Sequence, residues 1–174
     1  MHLLAMVGTD YHPFDRLVRW VDAWSIGHPE VECLIQYGTA PAPRHAAGVA
    51  YAEHDELGEW MDRAGIVVCH AGPSTILEVR RRGLLPIVVP RCGQSGEHVD
   101  DHQERFASRL AGTGLVLTAG SQRELGVLLD KALDDPTVVR LSEVADGAVT
   151  DAAVRRFGEL VSGLFSPVRT GKRR

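Results

Sequence analysis

Ile66-Val67-Val68-Cys69-His70-Ala71-Gly72-Pro73-Ser74-Thr75-Ile76-Leu77-Glu78 begins as an apolar run of strand length and breaks at Ala71-Gly72. It then resumes with apolar residues at helical spacing. Pro73 stands where a first helical residue can lack its N–H. The segment therefore reads as a strand, a tight turn and a helix amino terminus. First-turn N–H groups have no acceptor inside the helix, and the positive end of the helix dipole lies there, so such a terminus suits phosphate. Ser74 and Thr75 add hydroxyls at the same place. Glu78 follows one turn later on the face that Ser74 shares, where a carboxylate can accept two hydrogen bonds from a ribose diol. Together these features predict a nucleotide site. His70, at the strand end, is a candidate for chemistry, with a satisfied structural histidine as the plainer alternative.

The same alternation extends through most of the chain. Short runs rich in Val, Ile and Leu occur at Leu3–Val7, Val31–Tyr37, Gly48–Ala52, Ile66–His70, Leu85–Val89 and Leu115–Thr118. Helical patterns fall between or after them, at Pro13–Trp24, Asp55–Arg63, Ser74–Arg82, Glu97–Leu110 and Gln122–Leu133. Strands that are continuous rather than alternating belong to a parallel sheet covered on both faces. The expected fold is thus α/β, a Rossmann-like, doubly wound parallel sheet of about six strands with right-handed crossovers. Ligands of such sheets bind beyond the carboxyl ends of the strands, where the strand order reverses. Gly8-Thr9-Asp10 and His70-Ala71-Gly72 both follow strand ends and are expected to line one crevice. A last amphipathic segment, Asp151–Phe165, completes a domain expected over residues 1–165, and residues 166–174 form a basic tail read as disordered.

Composition narrows the class. The chain has 174 residues, a net charge of −4 and 44% hydrophobic residues, which fits one globular domain and gives no electrostatic footprint for nucleic acid. Cys33, Cys69 and Cys92 show no Cys-x-x-Cys spacing, so buried free thiols in a reducing compartment are expected. The opening Met1–Val7 run reaches Gly8-Thr9-Asp10 too early for a signal peptide, and no apolar run approaches the ~18 residues of a spanning helix.

With these residues laid out, the chain resembles the C-terminal, nucleotide-sugar-binding half of GT-B glycosyltransferases of family 28. Within that family it is similar to the one-domain catalytic subunits of two-part enzymes. These include the N-acetylglucosaminyltransferase of dolichol-linked glycan assembly and its bacterial exopolysaccharide counterparts. Three segments carry the likeness: Val7-Gly8-Thr9 with Pro13-Phe14-Asp15-Arg16-Leu17-Val18, His70 through Glu78, and Asp101-His102-Gln103. Pro73-Ser74 departs from a turn that often holds Gly, and the insert Arg91–Glu97 is longer than usual.

The resemblance implies a division of labour. Gly8 and Thr9 would approach the pyrophosphate of a UDP-sugar with their backbone, since Gly lacks a Cβ. Gly72, Ser74 and Thr75 would hold its phosphates and Glu78 its ribose, while Asp101, His102 and Gln103 would reach the donor sugar. Neither cofactor nor metal is implied. The general base would come from a membrane-associated, acceptor-binding partner subunit that places the chain at the inner, cytoplasmic face of a membrane. The acceptor would be lipid-linked. A homo-oligomer remains open, as does a non-catalytic, nucleotide-sugar-binding accessory role, because no general base can be assigned.

Other features have plainer readings. His98 and His102, four residues apart on the expected helix, are spaced to share a metal ion with Asp101 nearby, yet no third ligand stands out and no metal site is expected. Arg80-Arg81-Arg82 fits a solvated helix carboxyl terminus better than a phosphate clamp. Leu17, Trp20, Val21 and Trp24 form a stripe expected to pack in the core, with a partner-facing patch as the alternative.

Overall fold

A computed structural model describes residues 1–100 and 102–141 together with Gly158. Its elements in chain order are β1 (His2–Met6), α1 (Asp15–Ile26), β2 (Glu32–Gln36), β3 (Ala47–Val49), α2 (His54–Arg63) and β4 (Ile66–Cys69). Then come α3 (Pro73–Arg81), β5 (Ile87–Val88), α4 (His102–Gly112), β6 (Leu117–Thr118) and α5 (Gln122–Asp134). All six strands are parallel and lie in the order β3-β2-β1-β4-β5-β6. The expected doubly wound sheet is therefore present.

Alternation along the strands explains the two layers. Leu3, Ala5, Cys33, Ile35, Ile66, Val68 and Ile87 join Phe14, Leu17 and Val21 of the α1 region and Leu125 and Leu129 of α5 in one buried cluster. Burying each of the Leu, Ile, Val and Phe side chains contributes about 1.5–3 kcal/mol, which outweighs the modest strand propensity of two- and three-residue strands. Leu4, Met6, Val67, Cys69 and Val88 are buried as well, facing the other way. On that side α2 packs on β1 and α3 on β4. Trp20 and Trp24 are half-buried against the α1–α5 cluster, as the stripe implied. Trp24 also stacks on His28 and donates to Asp130.

Local chemistry sets the ends of the elements. Ser121 caps α5 by accepting from the Glu124 N–H, while the Glu124 carboxylate reaches back to accept from Gly120 N at 2.8 Å, a reciprocal pair akin to the capping box. The connection between β2 and β3 has no helix. Asp22, buried in α1, holds it instead by accepting from the backbone N–H groups of Arg44, His45 and Ala46. The one expected helix that differs in substance is Glu97–Leu110. A 3-10 turn occupies Gly93–Ser95, and α4 starts only at His102. Glu97 cannot open a helix into solvent because its buried carboxylate is bound to Arg16 at 2.7 and 2.8 Å and to Cys92 N.

Met1–Leu141 forms one compact unit and Ser142–Arg174 a second. The expected Asp151–Phe165 helix and the 166–174 tail lie outside the described residues, apart from Gly158, which is helical. All three cysteines are free; Cys33 and Cys69 are buried and Cys92 is partly so. Burial pushes the Cys69 thiol up to about 12 and the Cys33 thiol up to about 11, so both stay protonated and inert.

Candidate functional site

β1 and β4 are hydrogen-bonded neighbours at the centre of the sheet, with Met6 opposite Cys69. From β1 the chain moves outward to β2 and β3; from β4 it moves the other way to β5 and β6. The loops leaving these two strands diverge, and a cleft of about 440 Å³ opens between them. Gly8, Thr9, His70, Gly72, Ser74, Thr75 and Gln103 all line it. Segments about 60 residues apart in sequence are thus brought together as the sequence implied. A larger cavity, about 750 Å³, lies at the opposite end of the strands around His2, Glu32, Trp60 and Arg63. It has neither a glycine loop nor a helix amino terminus, so the smaller cleft is the candidate site.

The floor of the cleft is a histidine between two glycines. A Cβ at Gly8 would stand 2.6 Å from His70 Nε2, and one at Gly72 would stand 2.2 Å from His70 Cε1. Neither position tolerates a side chain while the ring stays where it is. Gly8 also has φ +84°, a conformation that favours glycine. Burial lowers the His70 pKa to about 4, and Arg91 adds to the effect while Asp10 opposes it. The imidazole is therefore neutral near pH 7. Its Nδ1 is buried without a hydrogen-bond partner.

Beside this ring α3 begins. Gly72 is its N-cap in extended conformation, Pro73 is its first residue, and no side chain caps the terminus. The first-turn amides and the Ser74 and Thr75 hydroxyls are left to serve a ligand, which is the chemistry expected of an anion site. Gly8 offers less than the sequence suggests. Its N–H already donates to Gln36 Oε1 at 3.1 Å, and its carbonyl accepts from Gln36 Nε2 at 3.1 Å. Gln36 Nε2 also reaches Ala50 O at 2.8 Å, so this one buried amide fixes the loop after β1.

Glu78 sits one turn into α3, outside the residues that line the cleft, with its carboxylate 3.8 Å from His54 Nε2 at the start of α2. Gln103 lines the cleft and is buried. Its Oε1 accepts from Ala71 N and Arg91 N, each at 3.3 Å, bracing the loops after β4 and β5 together. His102 is partly exposed and hydrogen-bonds Asp100; it does not line the cleft. Asp101 lies outside the described residues. Of the arginine run, Arg82 meets Asp62 at 2.7 Å and Arg80 donates to Leu115 O, both away from the cleft.

The sequence reading missed Arg91. It is fully buried, donates to Val7 O, His12 O and Glu97 O at 2.7–2.9 Å, and lies over the Phe14 ring. An arginine directly after an apolar strand and Pro90 was the available signal. What it ties together, the loops after β1 and β5, is set only by the fold.

The family model described as the glycosyltransferase family 28 C-terminal domain matches residues 6–153. Among curated proteins, the chain is 33% identical over 141 residues to a UDP-N-acetylglucosamine--N-acetylmuramyl-(pentapeptide) pyrophosphoryl-undecaprenol N-acetylglucosamine transferase of Xanthomonas oryzae pv. oryzae. That match covers 75% of this chain and 28% of the relative. The identically named protein of Rhodospirillum rubrum is 37% identical over 113 residues, covering 62% of this chain and 28% of the relative. This chain spans about 30% of the length of such relatives. Among solved structures, MurG of Acinetobacter baumannii superposes with a TM-score of 0.53 at 20% identity, over 80% of this chain and 43% of that one. The glycotransferase of kitacinnamycin gives 0.52 at 17% identity, over 92% and 38%. These two establish a shared fold with GT-B glycosyltransferases. By its match to the family model over residues 6–153, most of its length, the chain belongs to the glycosyltransferase family 28 C-terminal domain family.

Proposed function

We propose that this chain is the donor-binding, catalytic subunit of an inverting glycosyltransferase. It would move a hexosyl or N-acetylhexosaminyl group from a UDP-sugar to a lipid-linked saccharide. The observation that carries the reading is the uncapped amino terminus of α3 opening into the cleft at the strand-order reversal, beside His70 and Gly72. Charge develops on the UDP leaving group as the glycosidic bond breaks, and preorganised N–H donors with a helix dipole stabilise it without rearranging. Ser74 and Thr75 hold the phosphates, Thr9 approaches them from the loop after β1, and Glu78 takes the ribose. Asp101, His102 and Gln103 are assigned to the donor sugar, Gln103 through the amide nitrogen that its bracing role does not use.

The named substrates of the curated relatives, UDP-N-acetylglucosamine and a pyrophosphoryl-undecaprenol acceptor, support this donor and acceptor class. In this reading a second, membrane-associated subunit binds the acceptor, supplies the general base and attaches the chain to the inner face of the membrane. Among the described residues no helix is long and apolar enough to cross a membrane. Calorimetric titration of the full chain with UDP, UDP-GlcNAc, UDP-glucose, UDP-glucuronate and TDP-sugars tests the reading. UDP compounds should bind, and Glu78→Ala should weaken them by about tenfold or more, as loss of a charged hydrogen bond implies. Binding of none of them, alone or with the partner, sinks it.

A second reading, a nucleotide-sugar-binding accessory subunit, is favoured by the enclosure of His70 between two glycines, which suits a structural wedge better than a mobile base. If Glu78→Ala and Gln103→Ala leave cellular sugar transfer intact while deletion of the chain abolishes it, that reading stands instead.

A further inference from the structure

The segment between the cleft and α4 carries His98 and Asp100, which the nucleotide reading does not use, beside His102, which it assigns to the donor sugar. His98, Asp100 and His102 each offer one ligand atom, and these atoms all lie within 4.8 Å of one another. His98 Nδ1 stands 3.5 Å from Asp100 Oδ1, and His102 Nδ1 hydrogen-bonds the same oxygen. The two imidazoles meet edge to face with centroids 4.5 Å apart. Around a tetrahedral ion with bonds of about 2.0–2.1 Å, donor atoms stand about 3.4 Å apart. The His98–Asp100 separation already matches this. To take the ion, His102 releases its proton from Asp100 and swings outward, and His98 Nδ1 gives up the Asp100 N–H that it accepts at 3.4 Å.

An independent feature supports the arrangement from behind. The other nitrogen of His98, Nε2, lies 3.5 Å from Asp10 Oδ2. Asp10 is itself fixed, since its Oδ1 accepts from His12 N at 2.8 Å and pairs with His12 Nδ1 at 2.7 Å. Metal-bound histidines characteristically give their second N–H to a carboxylate, which sets the tautomer and ring orientation. Exposure is graded in the matching sense. The His98 side chain is 14% exposed, against 34% for His102 and 54% for Asp100, so an anchored inner ligand faces two that solution can reach.

We propose that His98, Asp100 and His102 form a site for a divalent transition-metal ion of the zinc class, with Asp10 orienting His98 and a fourth position open to water. Two imidazoles and one carboxylate select such ions over Mg²⁺ and Ca²⁺, which take oxygen ligands. The sequence left the histidine pair without a third ligand because a helix from Glu97 turns Asp100 away from it. The helix begins instead at His102, and the turn before it brings Asp100 in. Through Asp10 the ion joins the loop after β1 to the start of α4, which carries Gln103. Binding therefore stabilises the fold. The site goes beyond the UDP-sugar reading and rests on separate observations; His102 is the one residue that the two share.

The test uses the untagged full chain, with Zn²⁺ affinity measured by competition against a chromophoric chelator and Co²⁺ as a spectroscopic probe. One equivalent of Zn²⁺ should bind, Co²⁺ should give the intense visible bands of a four-coordinate site, and the melting temperature should rise with Zn²⁺ but not with Mg²⁺. Asp10→Asn should weaken Zn²⁺ by about 10–100-fold. Asp100→Asn and His102→Ala, both at accessible positions that leave folding intact by circular dichroism, should weaken it more. His28→Ala, which removes a remote histidine paired with Asp130, should change nothing. Zn²⁺ that fails to compete with the chelator, or an affinity unaltered in Asp100→Asn and His102→Ala, overturns the site.

Discussion

Gly72→Ala probes the wedge at the floor of the cleft. Gly72 has φ −81° and ψ 122°, which alanine adopts without strain, so the backbone offers no objection to the change. The added Cβ, however, would sit 2.2 Å from His70 Cε1, where ordinary contact begins at about 3.4 Å. The ring would have to retreat by more than an ångström, and it already stands close against Gly8 as well. Overpacking of this kind costs about 1–3 kcal/mol. Alanine is also a poorer N-cap than glycine, by up to about 1 kcal/mol, and this second effect has nothing to do with the ring. A double-mutant cycle separates the two. Urea unfolding of the parent, Gly72→Ala, His70→Ala and the double variant should give a coupling of about 1–2 kcal/mol, with the alanine at position 72 costing only its capping loss once the imidazole is gone. The displaced ring should also weaken UDP binding in Gly72→Ala, and His70→Ala should relieve that block. Additivity within about 0.5 kcal/mol would refute the wedge.

Three further outcomes follow from the same geometry. His70 titrates near 4 in the fold against an ordinary value of 6.5, so the unfolded chain binds the proton first. Stability should fall as pH drops from about 6.5 to about 4, by about 3 kcal/mol, and urea midpoints of His70→Gln should lack that component. Gln36→Leu leaves the Gly8 N–H and carbonyl without their partner; a loss of about 2–4 kcal/mol by chemical denaturation is expected, together with weaker UDP binding. Burial pushes the Asp22 carboxyl up, but hydrogen bonds from Ala46, Arg44 and His45 outweigh it and hold the group below its usual 3.8. Asp22→Ala should therefore destabilise the fold by about 2–3 kcal/mol at pH 7. The parent should keep Asp22's contribution until pH falls through that lowered value, so a variant that matches it across neutral pH would disprove the role.

The local sequence determined a great deal. Short Val- and Ile-rich runs with helical patterns between them were enough for a parallel, doubly wound sheet, because covering both faces of each strand leaves no room for polar alternation. Gly72-Pro73 marked the amino terminus of α3, since caps depend on backbone atoms within four residues. Which loops meet was inferable only in outline. Glu97 read as the start of a helix because its partner, Arg16, lies 81 residues away and enters no periodicity. Gln36 and Arg91 carry the loops around the cleft through bonds spanning 28 and 84 residues, and nothing beside them in the sequence names their acceptors. The same holds for Asp100, which became a companion of His98 and His102 only when the turn before α4 closed. Strand and helix were written in neighbouring residues; the wedge, the Gln36 and Arg91 braces and the histidine cluster were decided by tertiary contacts, where a buried polar group must find whichever partner the packed chain brings within reach.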